Sequence, residues 1–170
     1  MNTINDNLLK LNEQIRLAKQ TCQVGQKEIL LLGVSKGQTA DKIRQAWQLG
    51  IHDFGENYLQ EALKKQEQLA DLAINWHFIG PLQRNKCRRI AEHFSWVHSV
   101  CQKKQLVLLQ EYRQGHQTPL QICLQVNLTS ELSKSGCMPR ELNDLVQAIL
   151  QPDLDNSLVR LTCRHICRGV

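Results

Sequence analysis

The stretch Ile29-Leu30-Leu31-Leu32-Gly33-Val34-Ser35-Lys36 decides the fold: five of its eight residues are Ile, Leu or Val, and it closes on a lysine. A continuous apolar run without polar alternation predicts a strand buried on both faces, as in parallel sheets flanked by helices. In closed parallel barrels the chemistry gathers at the carboxyl ends of the strands, and Lys36 stands at that end. A lysine amine that sheds its proton in such a cleft forms an imine with a carbonyl. A lysine at a strand end also simply marks where the chain reaches water. The stretch alone leaves both readings open.

Outward from this strand the same unit recurs. Before it, residues 4–22 place Leu8, Leu9, Leu11, Ile15, Leu17 and Ala18 near one helical face, which predicts an amphipathic helix. After it, Thr39 reads as an N-cap, Ala40, Ile43, Ala46, Trp47 and Leu49 as a helix, and Gly50 as its stop. Strands are predicted at 51–55, 75–79, 96–100 and 120–126. Helices are predicted at 57–72, with Tyr58, Ala62 and Leu69 as anchors, and at 85–93, 103–113 and 139–150. Pro139 suits a first helical position. Strand and helix alternate without a Gly-, Pro- or Ser-rich linker, which argues for a parallel α/β architecture. Residues 158–170 are short, basic and rich in cysteine where a sixth strand is due.

The totals bound the class. With 170 residues, 42% hydrophobic and 22% charged, the chain suits one globular domain. No apolar run reaches the length of a membrane span, and residues 1–20 lack the apolar core of a signal peptide, so a cytoplasmic protein is expected. The seven cysteines are irregularly spaced with no Cys-x-x-Cys, which reads as free thiols. Net charge is +5, with a basic run at Arg84, Lys86, Arg88 and Arg89 that reads either as an anion-attracting patch or as a solvated helix face. Glycine-rich nucleotide loops and metal-ligand spacings are absent.

Polar residues and glycines recur at the strand ends. Gly55 permits close backbone approach, while Asn57 either hydrogen-bonds a ligand or caps the following helix. His77 alternates with apolar neighbours and is read as pointing inward. The loop Asn127 to Gly136 carries Lys134 between two serines; it either wraps a phosphate or runs along the surface.

Taken in order, Val34-Ser35-Lys36, Phe54-Gly55-Glu56-Asn57-Tyr58, Trp76-His77-Phe78-Ile79-Gly80-Pro81-Leu82-Gln83, His98-Ser99-Val100, Gln125-Val126-Asn127 and Ser133-Lys134-Ser135-Gly136 resemble the YggS/PROSC family of pyridoxal phosphate homeostasis proteins. The resemblance runs from about residue 7 to 155. It implies a (β/α)8 TIM barrel of the alanine racemase N-terminal-domain type. It implies pyridoxal 5′-phosphate (PLP) held as a Schiff base on Lys36, with Lys134 near the same site and Asn57 and His77 at matching rim positions. It further implies a non-catalytic role in PLP homeostasis, with PLP-dependent apoenzymes as partners. A monomer without nucleic-acid or membrane partners is expected.

The resemblance departs in two places. Gln38 stands where many members carry a second lysine. Residues 158–170 do not resemble the family's late strand, its serine-rich phosphate loop or its Arg-Ile-Gly segment. The expectation is therefore an incomplete barrel on residues 1–157, a non-matching basic tail on 158–170 from a frameshift or premature stop, and impaired PLP binding. A racemase-like enzyme and a basic interaction module are the alternatives.

Overall fold

The computed structural model describes residues 3–21, 29–129, 135–149 and 159–161. Helix α1 (Ile4–Thr21) is followed by β1 (Gly33–Val34), α2 (Ala40–Gln48), β2 (Asp53–Glu56), α3 (Leu59–Gln68), β3 (Asn75–Phe78) and α4 (Cys87–His93). Then come β4 (Trp96–Val100), α5 (Lys103–Arg113), β5 (Leu120–Leu124), α6 (Leu142–Ile149) and β6 (Val159–Leu161). The six strands form one parallel sheet in chain order. This is the parallel α/β architecture expected from the alternation of elements, and the partial barrel that the resemblance implies.

Register sorts the strand residues onto two faces. Glu56, Phe78, Val97 and Ile122 lie side by side across β2 to β5. This row faces the helices. Phe78 meets Phe94 edge-on at 5.4 Å between centroids, and Glu56 meets Lys65 of α3. Ile43, Ala62, Ile90, Leu106 and Leu109 bury the helical side of the same core. The opposite row runs Val34, Gly55, His77, Trp96 and Gln121. In a barrel this second row is the inner one.

Four expectations are corrected. The apolar run of 29–34 contributes only two residues to β1, and Ile29, Leu30 and Val34 are 50%, 40% and 52% exposed. The physical reason is position: β1 ends the strand order, so it pairs on one side only. Tyr58, expected as an anchor of α3, is exposed, while Ala62 and Leu69 are buried as expected. No residue of the amphipathic α1 is buried. A sixth strand is present after all, with Val159, Arg160 and Leu161 paired to Leu120, Gln121 and Ile122.

What holds β1 to the sheet is a buried polar knot on its helix side. Lys65 Nζ of α3 donates to Ser35 O at 2.7 Å, Glu56 Oε1 at 2.7 Å and Glu61 Oε1 at 2.6 Å. Ser35 Oγ donates to the same Glu56 Oε1 at 2.6 Å. The Lys65 ammonium and, after it, the Gly37 amide hold the Glu61 carboxyl below its ordinary value of 4.5, against a smaller opposing effect of burial.

Two predictions follow from this packing. Phe78→Ala removes a ring that is 1% exposed and should cost about 3–5 kcal/mol in denaturant unfolding. Because the Glu61 carboxyl is depressed in the folded chain, its contribution is present above the ordinary carboxylate value and is lost as pH falls through the lower folded value. Glu61→Gln should therefore flatten the acid limb of a stability–pH curve, read as melting temperature between pH 7 and pH 3.

Candidate functional site

Strand β1 ends at Val34, and the chain turns at Lys36-Gly37. Gly37 has φ +71°, a left-handed conformation that costs other L residues dearly but glycine little. Gln38 N closes the turn onto Ser35 O at 3.0 Å. Ser35 lies on the helix side, against Glu56, and Lys36 follows it in the turn beyond the strand. Lys36 is exposed and makes no hydrogen bond or ion pair with another described residue.

The two peptide groups flanking Lys36 are both held. The carbonyl of Ser35 takes the Lys65 ammonium, and the amide of Gly37 donates to Glu61 Oε1 at 2.7 Å. Lys65 and Glu61 are one turn apart on α3, a spacing that puts them on one helix face. Among the described residues, Glu56 Oε2 is a buried side-chain oxygen with no hydrogen-bond partner.

The next two strand exits press on one another. A Cβ added at Gly80 would lie 2.1 Å from Asn57 O, so only glycine admits this backbone approach. Asn57 is half-buried there and does not cap α3; the N-cap is Tyr58, without a side-chain bond. Ser99 Oγ, from the end of β4, donates to Gly80 O. Beyond β5, Asn127 N donates to Cys137 O at 2.8 Å and Cys137 N to Gln125 O at 2.9 Å. The long polar loop thus leaves and returns at the same rim. Lys134 lies outside the described residues.

His77 sits inside β3, below the rim rather than on it, and is fully buried. Its Nε2 lies 2.9 Å from Asp53 Oδ1 and its Nδ1 2.9 Å from His98 Nε2. The Trp96 ring stacks on it at 5.3 Å with 4° between planes. In the neutral pair His77 donates to the Asp53 carboxylate and accepts from His98, which fixes both tautomers. Both ring nitrogens are thereby engaged. Structure thus brings Lys36 and Asn57 together on adjacent strand ends and sets His77 one layer beneath.

Asp53, Glu56, Glu61, Lys65 and His98 were not singled out by the sequence. The Glu61–Lys65 spacing is a helix-pair signal, but nothing local links Asp53 to a histidine 24 positions on. The basic run reads as a helix face: Arg88, exposed, pairs with Glu92 at 2.9 Å. Cys87, Cys101 and Cys137 are free thiols, and burial pushes Cys87 up to about 11. Among the described residues no helix is long and apolar enough to cross a membrane.

Comparison with known proteins agrees with this fold. The family described as alanine racemase, N-terminal domain, matches residues 7–167, past the position 158 where the sequence resemblance stopped. A pyridoxal phosphate homeostasis protein of Pseudomonas aeruginosa is 52% identical over 151 residues, covering 89% of this chain and 66% of the relative. One from Buchnera aphidicola is 37% identical over 157 residues, covering 91% and 69%. The solved structure of PipY of Synechococcus elongatus with PLP bound is similar at a TM-score of 0.68 and 35% identity, covering 88% of this chain and 66% of that one. The chain therefore spans about two thirds of the length of these relatives. It belongs to the pyridoxal phosphate homeostasis protein family, built on the alanine racemase N-terminal domain.

Proposed function

We propose that this chain binds pyridoxal 5′-phosphate through Lys36 and serves intracellular PLP homeostasis, holding and releasing the cofactor rather than transforming an amino acid. One observation carries the reading. Lys36 is an exposed amine at the carboxyl end of β1, with no partner among the described residues, on a fold whose PLP-bound relative is 35% identical.

The residues present fit the aldehyde end of such a molecule. PLP supplies an aldehyde with which a lysine amine condenses as a Schiff base, releasing water. Lys36 supplies the amine, exposed to solvent in the turn that Gly37 closes. Asn57 offers an amide at the neighbouring strand end, where Gly80 keeps the backbone tightly packed. His77 supports this floor through Asp53 and His98 and is placed to shape the site from below. The family resemblance assigns Lys134 to the same site. The relatives are named for homeostasis, not for racemisation, which favours a carrier over the racemase alternative.

The family resemblance assigns the phosphate to backbone amides after late strands, the usual donors for such a group. The 170-residue chain should therefore hold PLP more weakly than the Pseudomonas relative, measured by equilibrium dialysis of both.

The direct test is reductive trapping. Purified chain mixed with PLP should show a visible absorbance band that borohydride bleaches, and peptide mass mapping should place the pyridoxyl group on Lys36. Lys36→Ala should abolish band and adduct. An adduct distributed over surface lysines, and unchanged in Lys36→Ala, would reject the assignment.

A further inference from the structure

The amine at Lys36 is presented by two residues that no relative's name assigns a role. We infer that Lys65 and Glu61 of α3 are positioning residues that clamp the backbone on both sides of Lys36 and thereby fix where its amine projects. The inference rests on the assignment of Lys36 as the PLP-linked amine.

The contacts are specific to that backbone. Lys65 Nζ has three donors, and the structure gives it three acceptors: Ser35 O, Glu56 Oε1 and Glu61 Oε1. One of them is the carbonyl of the peptide entering Lys36. Glu61 Oε1 also accepts from Gly37 N, the amide of the peptide leaving Lys36. A helix on the outside of the sheet thus grips both peptide planes that orient the Lys36 side chain. The grip is buried at Lys65, whose side chain is 7% exposed, and half-buried at Glu61, at 32%.

The clamp restrains a turn that the strand ladder leaves loose. Strand β1 pairs with β2 over two residues only, so the turn that follows inherits little order from the ladder. Gly37, at φ +71°, is free to adopt other conformations, and its chain would sample them without a restraint on its amide. Holding Ser35 O alone would leave the Gly37 peptide free to flip. Holding both leaves the Lys36 side-chain torsions as the remaining freedom. A shift of about 1 Å in a reacting group costs on the order of a hundredfold in rate, so such a restraint bears on the condensation of amine with aldehyde.

The test uses the whole chain and three variants: Glu61→Ala, Glu61→Gln and Lys65→Met. Two readouts are taken: deuterium exchange at the Gly37 amide without cofactor, and the rate of borohydride-trapped pyridoxyl incorporation at Lys36. Expected are faster Gly37 exchange and an incorporation rate lowered at least tenfold in Glu61→Ala, with Glu61→Gln close to the parent because its amide oxygen still accepts from Gly37 N. Lys65→Met should lower incorporation likewise. If it does not fold, Glu61→Ala against Glu61→Gln decides, since Glu61 is half-exposed. Unchanged incorporation in Glu61→Ala despite faster Gly37 exchange overturns the positioning role, as does unchanged exchange. A parent chain that takes no label at Lys36 rejects the functional assignment, and the Gly37 exchange comparison then still decides whether the clamp exists.

Discussion

The bond between the Lys65 ammonium and the Glu56 carboxylate, closed over the Ser35 carbonyl, is the constraint on which the working end of this molecule depends. Both charges are almost wholly buried, at 7% and 0% side-chain exposure. Taking such a pair out of water is expensive, and its net worth against an apolar pair of equal volume is small or negative. Breaking it is a different matter: one buried charge left alone costs roughly 3–5 kcal/mol. The pair therefore acts less as a source of stability than as a device that admits one geometry. That geometry joins β2, α3 and the exit of β1.

The same economy appears beneath the rim. The inner row of the sheet is not apolar. His77, Trp96 and Gln121 lie side by side, and Asp53 and His98 complete the bonding of the buried imidazole. An interior of this kind is held by direction rather than by packing alone, since a buried polar group that loses its partner is costly. On the helix side Phe78, Val97 and Ile122 supply the non-directional part, with exposures of 1%, 0% and 0%. One sheet thus has a greasy outer face that pays for folding and a polar inner face that shapes the mouth.

This division explains what could be read along the chain and what could not. The Phe78 face was legible, because apolar alternation reports burial: β4 and α5 have the bounds the sequence suggested, and Thr39 accepts from Lys42 N as an N-cap should. The run at 29–34 misled because apolar content does not say whether a strand is central or at an edge, and β1 is at the edge. Asn57 is a good capping residue by type, yet α3 starts one residue later, because the backbone at 57 is pressed against Gly80. The sixth strand was hidden by composition: Val159-Arg160-Leu161 is too short to announce itself and is specified by its neighbour, β5. Lys36 could be read as a strand-end residue because a strand end is a local signal. Its supports could not be read, since Ser35 and Lys65 are 30 positions apart and meet only through the fold.

Two lysines close to the same turn show how a fold divides labour between identical side chains. Lys65 is buried and all three of its N–H donors are taken, so its nitrogen has neither access nor a lone pair to offer. Lys36 is exposed and has no such partner among the described residues. Nucleophilicity in an amine requires that the nitrogen be reachable and that its proton can leave; partners that satisfy every donor oppose both. Glu56 Oε1 is committed to Lys65 and Ser35 Oγ, and Glu61 Oε1 to Lys65 and the Gly37 amide. One lysine is held inside the knot, while the other stands exposed at its edge, without a partner among the described residues.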